Sequence, residues 1–346
     1  MFNRILFFII FLCCIFLVFT VRYKSVRIFE FKFLDSCQPD RFYVPVSING
    51  NTYKFLFDTG ASRTVIDSAL AEKIGLTVFE KKYIKTTFTE GVAVFDSVGY
   101  TSINYAIGNI HSKQTVLLFG QEKSEKISSV DFDATLGMDI IKQFNWLFDF
   151  SKGRAIISKS KIDFQTLPDD KILTFDFYYT NSSDNTRMNL SIDGQLFHNA
   201  LFDTGYRKYF LLSEKSKGID IKFSEQGLAT YTNKPVPAFW INATDERKAI
   251  LIDSMIINGY TMHSMLALDS KDDRYSMIIT ANFIHRFRMM YIDSKNKKIQ
   301  LYVSPSDSAR HHRRDLQNFS RALKRHSEEN QGKTGDGIPQ EIIDLW

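Results

Sequence analysis

The chain has 346 residues, of which 44% are hydrophobic and 14% aromatic, so it is long enough for two or three domains with a substantial core. Its formal charge of +5 is modest and comes partly from the stretch Arg310–Arg325, which gives no reason to expect a nucleic-acid partner. Cys37 is the single cysteine outside an apolar N-terminal run, so we expect no disulfide in the folded part, and no zinc-ligand spacing occurs.

The chain begins with an uncharged apolar run, Ile5–Val21. The run is within the range of a membrane-spanning helix, is long for the apolar core of a signal peptide, and is followed by no small-x-small cleavage motif. We therefore expect residues 1–22 to be a signal anchor in a membrane and residues 23–38 a tether, with the remainder in a periplasm or lumen. Cleavage and secretion is the alternative, and basic residues at both ends of the run leave its orientation open.

The next segment has the pattern of short β-strands. Residues Arg41–Gly50 alternate polar and apolar and turn at Asn49-Gly50, and Thr52–Phe57 returns as a second strand that ends at Asp58. Further strands are predicted over Val92–Ile107 and Ile110–Phe119. A buried strand and short helix follow over Ala134–Phe144, and then a hairpin that turns at Ser151-Lys152.

The second part of the chain repeats this order. Thr186–Gly194 turns at Asp193-Gly194, and Leu196–Phe202 returns to place Asp203 at its end. The counterparts of the later elements are Ala249–Ile257, Tyr260–Leu268 and Met277–Phe287. The pattern predicts an all-β protein with an internal duplication: a first lobe over 39–165, a connector over 166–170, a second lobe over 171–303, and a polar tail over 304–346.

Each half carries Phe-Asp-Thr-Gly after an apolar run, with Asp58 in the first and Asp203 in the second. Two carboxyl groups within hydrogen-bond reach cannot both ionise, so one serves as a base and the other as an acid in amide hydrolysis. Glycines allow the two loops to approach each other, and threonine hydroxyls can bond the opposite loop. The supporting residues are Thr59, Gly60, Thr204 and Gly205. A simple β-turn is the ordinary interpretation of one copy, but not of two copies at equivalent positions.

Over residues 40–303 the chain resembles the retropepsin/pepsin clan of aspartic proteases in its single-chain, two-lobe form. The resemblance is carried by Asp58-Thr59-Gly60-Ala61-Ser62 and by the hydrophobic-hydrophobic-Gly element in Thr135–Ile140. It implies two homologous retropepsin-like β-barrel lobes related by a pseudo-two-fold axis, with Asp58 and Asp203 as the catalytic dyad. It also implies a peptide or protein substrate, water as the nucleophile and a monomeric catalytic unit. The chain has no glycine-rich nucleotide loop, and we expect no cofactor and no metal.

The resemblance further implies a β-hairpin flap over the substrate. Our candidate is Tyr83–Tyr100, with its turn near Thr89 and Gly91, although an ordinary surface hairpin is an alternative. The residues that we expect to contact substrate complete the predicted site: Ala61, Ser62, Tyr206, Thr89 and Gly91.

The second half departs from the clan pattern at three positions. Tyr206 stands where the first half has Ala61, Arg207 where it has Ser62, and Thr280 where it has Gly137. Three interpretations remain open: an active protease with an asymmetric cleft, a catalytically degenerate, membrane-tethered peptide-binding module, or a first lobe that pairs between chains. A pure binding module has no need of Asp203, whose presence counts against it.

Overall fold

A computed structural model of the chain describes residues 28–33, 41–87, 93–119, 132–181, 183–206, 210–213, 229–233, 245–270 and 274–303. Strands dominate these residues, and the helices among them are short: α1 (Ser68–Lys73), α2 (Met138–Ile141) and α3 (Ala281–Ile284). The predicted all-β class is confirmed.

The first group of strands forms a closed barrel. Its sheet runs in the order β2-β3-β8-β4-β7-β6-β5, and an additional pairing between β2 and β6 closes the ring and leaves β5 outside it. The tight turn between β2 and β3 is made by Asn49 and Gly50, both at positive φ. The strands are β2 (Tyr43–Ile48), β3 (Asn51–Phe57), β4 (Val65–Asp67), β5 (Glu80–Thr87), β6 (Ala93–Ile107), β7 (Ile110–Phe119) and β8 (Ala134–Leu136).

The second group follows the same pattern of pairing. The ring runs β12-β13-β18-β14-β17-β16 and is closed by a pairing between β12 and β16, with β15 outside it. The strands are β12 (Ser183–Ile192), β13 (Gln195–Asp203), β14 (Phe210–Ser213), β15 (Ala229–Asn233), β16 (Asp245–Ile257), β17 (Tyr260–Ser270) and β18 (Met277–Thr280). In both barrels the strand that leads to the aspartate pairs in parallel with the last ring strand in chain order, β3 with β8 and β13 with β18.

A third set of strands joins the two barrels in the order β1-β10-β9-β19-β20-β11. These are β1 (Ile28–Lys32), β9 (Asn145–Asp149), β10 (Arg154–Ser158), β11 (Lys171–Thr180), β19 (Met289–Asp293) and β20 (Lys298–Val303). The halves meet where β9 pairs antiparallel with β19, with Leu147 opposite Tyr291 and Phe148 opposite Met290. One hydrophobic cluster contains residues from both sides of this junction, so the barrels share a core.

Aromatic side chains fill the core beneath the first aspartate. The Phe57 ring, next to Asp58, lies 4.9 Å from the rings of both Trp146 and Phe148, in edge-on geometry. Phe57, Trp146 and Phe148 are fully buried. Because close-packed aromatic groups resist displacement, the end of β3 stands on a rigid base.

Residues 23–38 were predicted to be a tether, but the structure shows a strand within them. Ile28–Lys32 is a strand that pairs along its whole length with β10, and Phe31 and Phe33 are buried. The alternation Ile-Phe-Glu-Phe-Lys is typical of a strand with one buried face, and the Phe29 ring lies against Gly108, where a Cβ would not fit. This part of the chain therefore belongs to the joining sheet.

The predicted anchor, residues 1–22, and the predicted tail, residues 304–346, lie outside the described residues. Among the residues that are described, none of the helices has the length and apolar character needed to cross a bilayer. The lobe boundaries stay a prediction.

The segment that we predicted to be a connector, residues 166–170, is held by a buried ion pair. The Arg288 Nε donates to Asp170 Oδ1 at 3.1 Å, and a terminal guanidinium nitrogen of Arg288 bonds Oδ2. The Leu167 N–H also donates to Oδ2, at 2.8 Å. The Arg288 side chain is 10% exposed and the Asp170 side chain 1% exposed. If one of them were removed, water could not solvate the charge of the other.

We expect Asp170→Asn to destabilise the fold by about 3–5 kcal/mol, because it leaves the Arg288 charge buried without a counter-ion. The double variant Asp170→Leu/Arg288→Met removes both charges and should recover most of that loss. Urea unfolding measures both. Asp176→Asn is the control, since its pair with Lys298 is exposed and should contribute about 1 kcal/mol or less. Equal losses in Asp170→Asn and Asp176→Asn would contradict the expectation.

Candidate functional site

The two aspartates follow equivalent strand ends. Asp58 comes directly after β3, and its N–H donates to the Leu136 carbonyl of the parallel strand β8 at 3.0 Å. Asp203 is the last residue of β13, where it lies opposite Thr280 of the parallel strand β18. Phe57 and Phe202, which precede the aspartates, are completely buried. Apolar burial on one side therefore fixes each carboxyl group at the exit from a rigid strand.

The two loops are joined by threonine hydroxyls that cross from one to the other. The Thr59 hydroxyl donates to the Phe202 carbonyl at 2.5 Å and accepts the N–H of Thr204 at 3.1 Å. Reciprocally, the Thr204 hydroxyl donates to the Phe57 carbonyl at 2.7 Å and accepts the N–H of Thr59 at 3.0 Å. Both threonines are 1% exposed. Each loop thus satisfies buried backbone groups of the other, which locks the two in one relative position.

The glycines bring each carboxyl group against the opposite loop. A Cβ added to Gly60 would lie 2.5 Å from Cγ of Asp203, and a Cβ added to Gly205 would lie 2.3 Å from Cγ of Asp58. No side chain fits in either place, because real Cβ contacts are longer than this. The structure therefore brings Asp58, Asp203, both threonines and both glycines of the predicted site together.

The electrostatics of the pair are those of two acids sharing a site. Burial, and after it the negative charge of Asp203, raises the pKa of Asp58 well above its ordinary value of 3.8. The N–H groups of Ala61 and Gly60, which donate to Asp58 Oδ1 at 3.0 and 2.9 Å, oppose this rise. A hydrogen bond between the Asp58 and Asp203 side chains also raises the pKa of Asp58. Such a bond needs a proton on one of the two carboxyl groups, and titration of either group then depends on the other.

Asp203 has a matching set of donors. Its Oδ1 accepts the N–H groups of Gly205 and Tyr206, both at 3.0 Å, and its exposure is 3%. Asp58 is more open, being only partly buried. Each carboxyl group thus accepts two N–H groups from its own loop, but the Asp58 carboxyl is more accessible to solvent than the Asp203 carboxyl.

The remaining predicted contact residues lie around this centre or outside the described chain. Ala61 and Ser62 are partly buried, and the Ser62 hydroxyl lies 2.6 Å from that of Ser183 in β12. Tyr206 is partly buried beside Asp203, and its carbonyl accepts the Ala281 N–H at 3.0 Å. Thr89 and Gly91 lie outside the described residues.

The hairpin arms on either side of Thr89 and Gly91 are described. β5 and β6 pair antiparallel from Glu80 opposite Tyr100 to Thr87 opposite Ala93. A second hairpin, not predicted from the sequence, pairs β15 with β16 from Ala229 opposite Ala249 to Asn233 opposite Asp245. The part of the chain that the structure describes contains no cluster of three or more His, Cys, Asp or Glu side chains able to hold a metal ion.

Two polar residues behind the Asp58 loop were assigned no role from the sequence. Thr64 is completely buried, and Asp139, in the first turn of α2, is 4% exposed and accepts hydrogen bonds from it. The available signal was an acidic residue inside the apolar run Leu136–Ile141, because a carboxyl group buried there must find a donor nearby.

Comparisons with known proteins agree with this geometry over the first barrel. Residues 44–140 match the family model described as aspartyl protease. The UBA domain-containing protein Mud1 of Schizosaccharomyces pombe is 31% identical over 124 residues, which are 35% of this chain and 34% of that protein. The DNA damage-inducible protein 1 of Neurospora crassa is 28% identical over 125 residues, 35% of this chain and 26% of that protein. The matched part is thus about a third or less of either relative, and the chain contains an aspartyl-protease-like domain.

We expect Thr59→Val to weaken the fold, because it leaves the Phe202 carbonyl and the Thr204 N–H buried without partners. Each such loss costs about 1–3 kcal/mol. Thr59→Ser, which keeps the hydroxyl, is the matched control and should lose much less. The difference between their midpoints of urea unfolding is the measurement. Similar midpoints would show that the hydroxyl exchange does not hold the loops.

The raised pKa of Asp58 predicts how stability depends on pH. A carboxyl group that holds its proton more tightly in the folded state stabilises the fold below its ordinary pKa, and this contribution is lost as pH rises through the raised folded pKa. Asp58→Asn resembles the protonated form at every pH. We therefore expect this variant to be more stable than the wild type near about pH 7, with the difference vanishing below about pH 4.

Thermal unfolding of Asp58→Asn and the wild type across that pH range checks the expectation. Asp163→Asn removes the same charge from an exposed position and is the matched control. An advantage of Asp58→Asn that grows toward low pH would have the wrong sign.

Proposed function

We propose that this chain is an aspartic endopeptidase that hydrolyses peptide bonds with a water molecule activated by the Asp58/Asp203 dyad. The observation that carries the proposal is the contact of each carboxyl group with the glycine of the opposite loop, which makes the two acids neighbours. The match of residues 44–140 to aspartyl proteases supports the same reaction class.

The shared proton defines the chemistry. The ionised carboxylate of the pair takes a proton from water, whose oxygen attacks the carbonyl carbon of the peptide bond, while the protonated carboxyl donates to the carbonyl oxygen. When the tetrahedral species breaks down, the C–N bond breaks and the protonated carboxyl of the pair gives its proton to the leaving nitrogen. The other carboxylate takes a proton from a hydroxyl of the tetrahedral species, which leaves the product acid and restores one proton to the pair. The proton belongs to the pair, so neither Asp58 nor Asp203 is assigned one fixed role.

The other residues of the site position the dyad or its substrate. Thr59 and Thr204 hold the loops in register, and Gly60 and Gly205 allow the carboxyl groups to meet. In the proposal Ala61, Ser62 and Tyr206 flank the substrate, and the β5–β6 hairpin, with Thr89 and Gly91 near its turn, covers it. Because both halves are parts of one chain, a monomer suffices as the catalytic unit, and the two lobes are copies of one duplicated unit.

The cleft we propose is asymmetric. In the sequence, Tyr206 stands where the first half has Ala61, and Arg207 stands where it has Ser62. A larger side chain leaves less room for substrate on the Asp203 side, so we propose a preference for small residues there. We further propose that residues 1–22 anchor an extracytoplasmic catalytic portion to a membrane, with secretion after cleavage as the alternative.

A second function, peptide binding without cleavage, is favoured by one observation. Thr280 stands at the position equivalent to Gly137, and its hydroxyl is buried with no hydrogen-bond partner among the described residues. An unpaired polar group beside Asp203 is a cost that an optimised catalytic loop would avoid. A degenerate, membrane-tethered peptide-binding module would tolerate it.

Cleavage of an unstructured protein across acidic to neutral pH separates the two functions. We expect the wild type to cleave, a statine-type transition-state mimic to inhibit, and Asp58→Asn and Asp203→Asn each to lower kcat/KM by at least about a thousandfold. Asp163→Asn is the control of equal charge change. Binding of the statine peptide without cleavage would favour the binding module, and full activity in Asp203→Asn would exclude the intramolecular dyad.

A further inference from the structure

A buried carboxyl group with no part in the proposed chemistry lies behind the Asp58 loop. Asp139 Oδ1 accepts the Thr64 N–H at 2.8 Å and the Thr64 hydroxyl at 2.7 Å. The Thr64 Oγ1 in turn accepts the N–H of Gly137 at 3.0 Å. Carboxylate, hydroxyl and amide therefore form a relay of three groups that ends on the backbone of Gly137.

Gly137 is the point at which this relay reaches the dyad. The residue before it, Leu136, accepts the N–H of Asp58 at 3.0 Å, and the residue after it, Met138, donates to the Ala61 carbonyl at 2.8 Å. Ala61 is itself a donor to the Asp58 carboxylate. A displacement of Gly137 thus moves both the backbone of Asp58 and one of the two N–H groups that orient its side chain.

Gly137 is packed too closely for any side chain to fit at this position. A Cβ added there would lie 2.3 Å from the backbone carbon of Arg63 and 2.7 Å from the nitrogen of Thr64. Backbone atoms cannot yield as a flexible side-chain end can, so Gly137 packs directly against the Arg63–Thr64 peptide and no larger residue fits there.

Other groups also face Asp139 and complete its surroundings. Burial raises its pKa, which the two bonds from Thr64 and the charge of Arg63 oppose. Gln143 Nε2 donates to the Asp139 carbonyl at 2.8 Å and to Gln114 Oε1 at 3.1 Å, and Gln114 Nε2 lies 3.5 Å from Asp139 Oδ2. Tyr105 also lies near Asp139: burial raises the pKa of the Tyr105 hydroxyl, and the negative charge of Asp139 adds to that rise. The carboxyl group is therefore held on several sides.

The second half lacks the threonine and the glycine of this relay, and an amide replaces its carboxyl group. Counted from Asp203 and from the equivalent strand end, tyrosine stands at position 209, Thr280 replaces Gly137, and asparagine stands at position 282 in place of Asp139. Where the Thr64 hydroxyl makes two hydrogen bonds, the Thr280 hydroxyl is buried and makes none among the described residues.

We propose that Asp139 is a positioning residue that acts through Thr64 and Gly137 to set the geometry of the Asp58 carboxyl group, on one side of the dyad only. The inference rests on the proposed function, since positioning matters for a reaction at the dyad. A buried acid that only stabilised the barrel would need no link to the catalytic loop.

Two pairs of variants of the full-length chain test the relay. Thr64→Val and Asp139→Leu remove the hydroxyl and the acceptor, whereas Thr64→Ser and Asp139→Asn retain them and serve as matched controls. We expect the first pair to lower kcat by about ten- to a hundredfold with KM changed by less than about twofold, because misplacing a catalytic group acts on the transition state. The controls should stay within about threefold of the wild-type kcat.

A second readout does not depend on turnover. Carbon-13 NMR of the Asp58 and Asp203 carboxyl groups should show two well-separated titration steps in the wild type and in Thr64→Ser. In Thr64→Val the steps should move together by about one pH unit or more, because the carboxyl groups no longer share a proton in one geometry.

The outcomes are distinguishable. A wild type that binds but never cleaves peptides would remove the proposed function, and the titration would still decide the relay. Lower thermal stability in Thr64→Val and Asp139→Leu, with kcat, KM and both titration steps unchanged, would overturn the relay and leave Asp139 a purely structural residue.

Discussion

The position of the two carboxyl groups depends on the hydrogen bonds that Thr59 and Thr204 exchange between the loops. The Phe57 and Phe202 carbonyls and the N–H groups of both threonines are buried, and each finds its partner in the other half of the molecule. A buried backbone group without a partner costs about as much as a lost hydrogen bond, so neither loop is satisfied on its own. The same four hydrogen bonds therefore hold the two halves together and place the two aspartates beside each other.

The joining sheet makes this exchange possible. β9 and β19 pair so that Leu147 faces Tyr291 and Phe148 faces Met290, which continues one sheet through both halves. The rings of Trp146 and Phe148 in β9 also support Phe57, the residue before Asp58. The core that joins the barrels is therefore the core that supports the Asp58 loop, and a change in β9 affects both.

The sequence predicted the parts of the molecule that depend on local turns and on spacing. The hairpin at Asn49-Gly50 and the strand ends at Asp58 and Asp203 follow from positive-φ turn residues and apolar runs, and the structure has them. Strand β1 was missed because a strand of five residues at the edge of a sheet depends on its partner, here β10, far along the chain. The relay from Asp139 was missed for the same reason, since nothing near Thr64 in sequence indicates a carboxyl group 75 positions later.

A single chain with two similar halves is under a weaker constraint than a symmetric dimer. In a two-fold dimer both loops carry the same residues, so a substitution must suit both sides of the site. Here each side can change alone, and the halves differ at positions whose backbone contacts stay within one half: Ala61 against Tyr206, and Gly137 against Thr280. The residues that are the same in both halves, the Asp-Thr-Gly triplets, are those whose bonds and contacts reach across the interface. Asymmetry of the cleft is therefore compatible with a symmetric dyad, because the two are held by different sets of contacts.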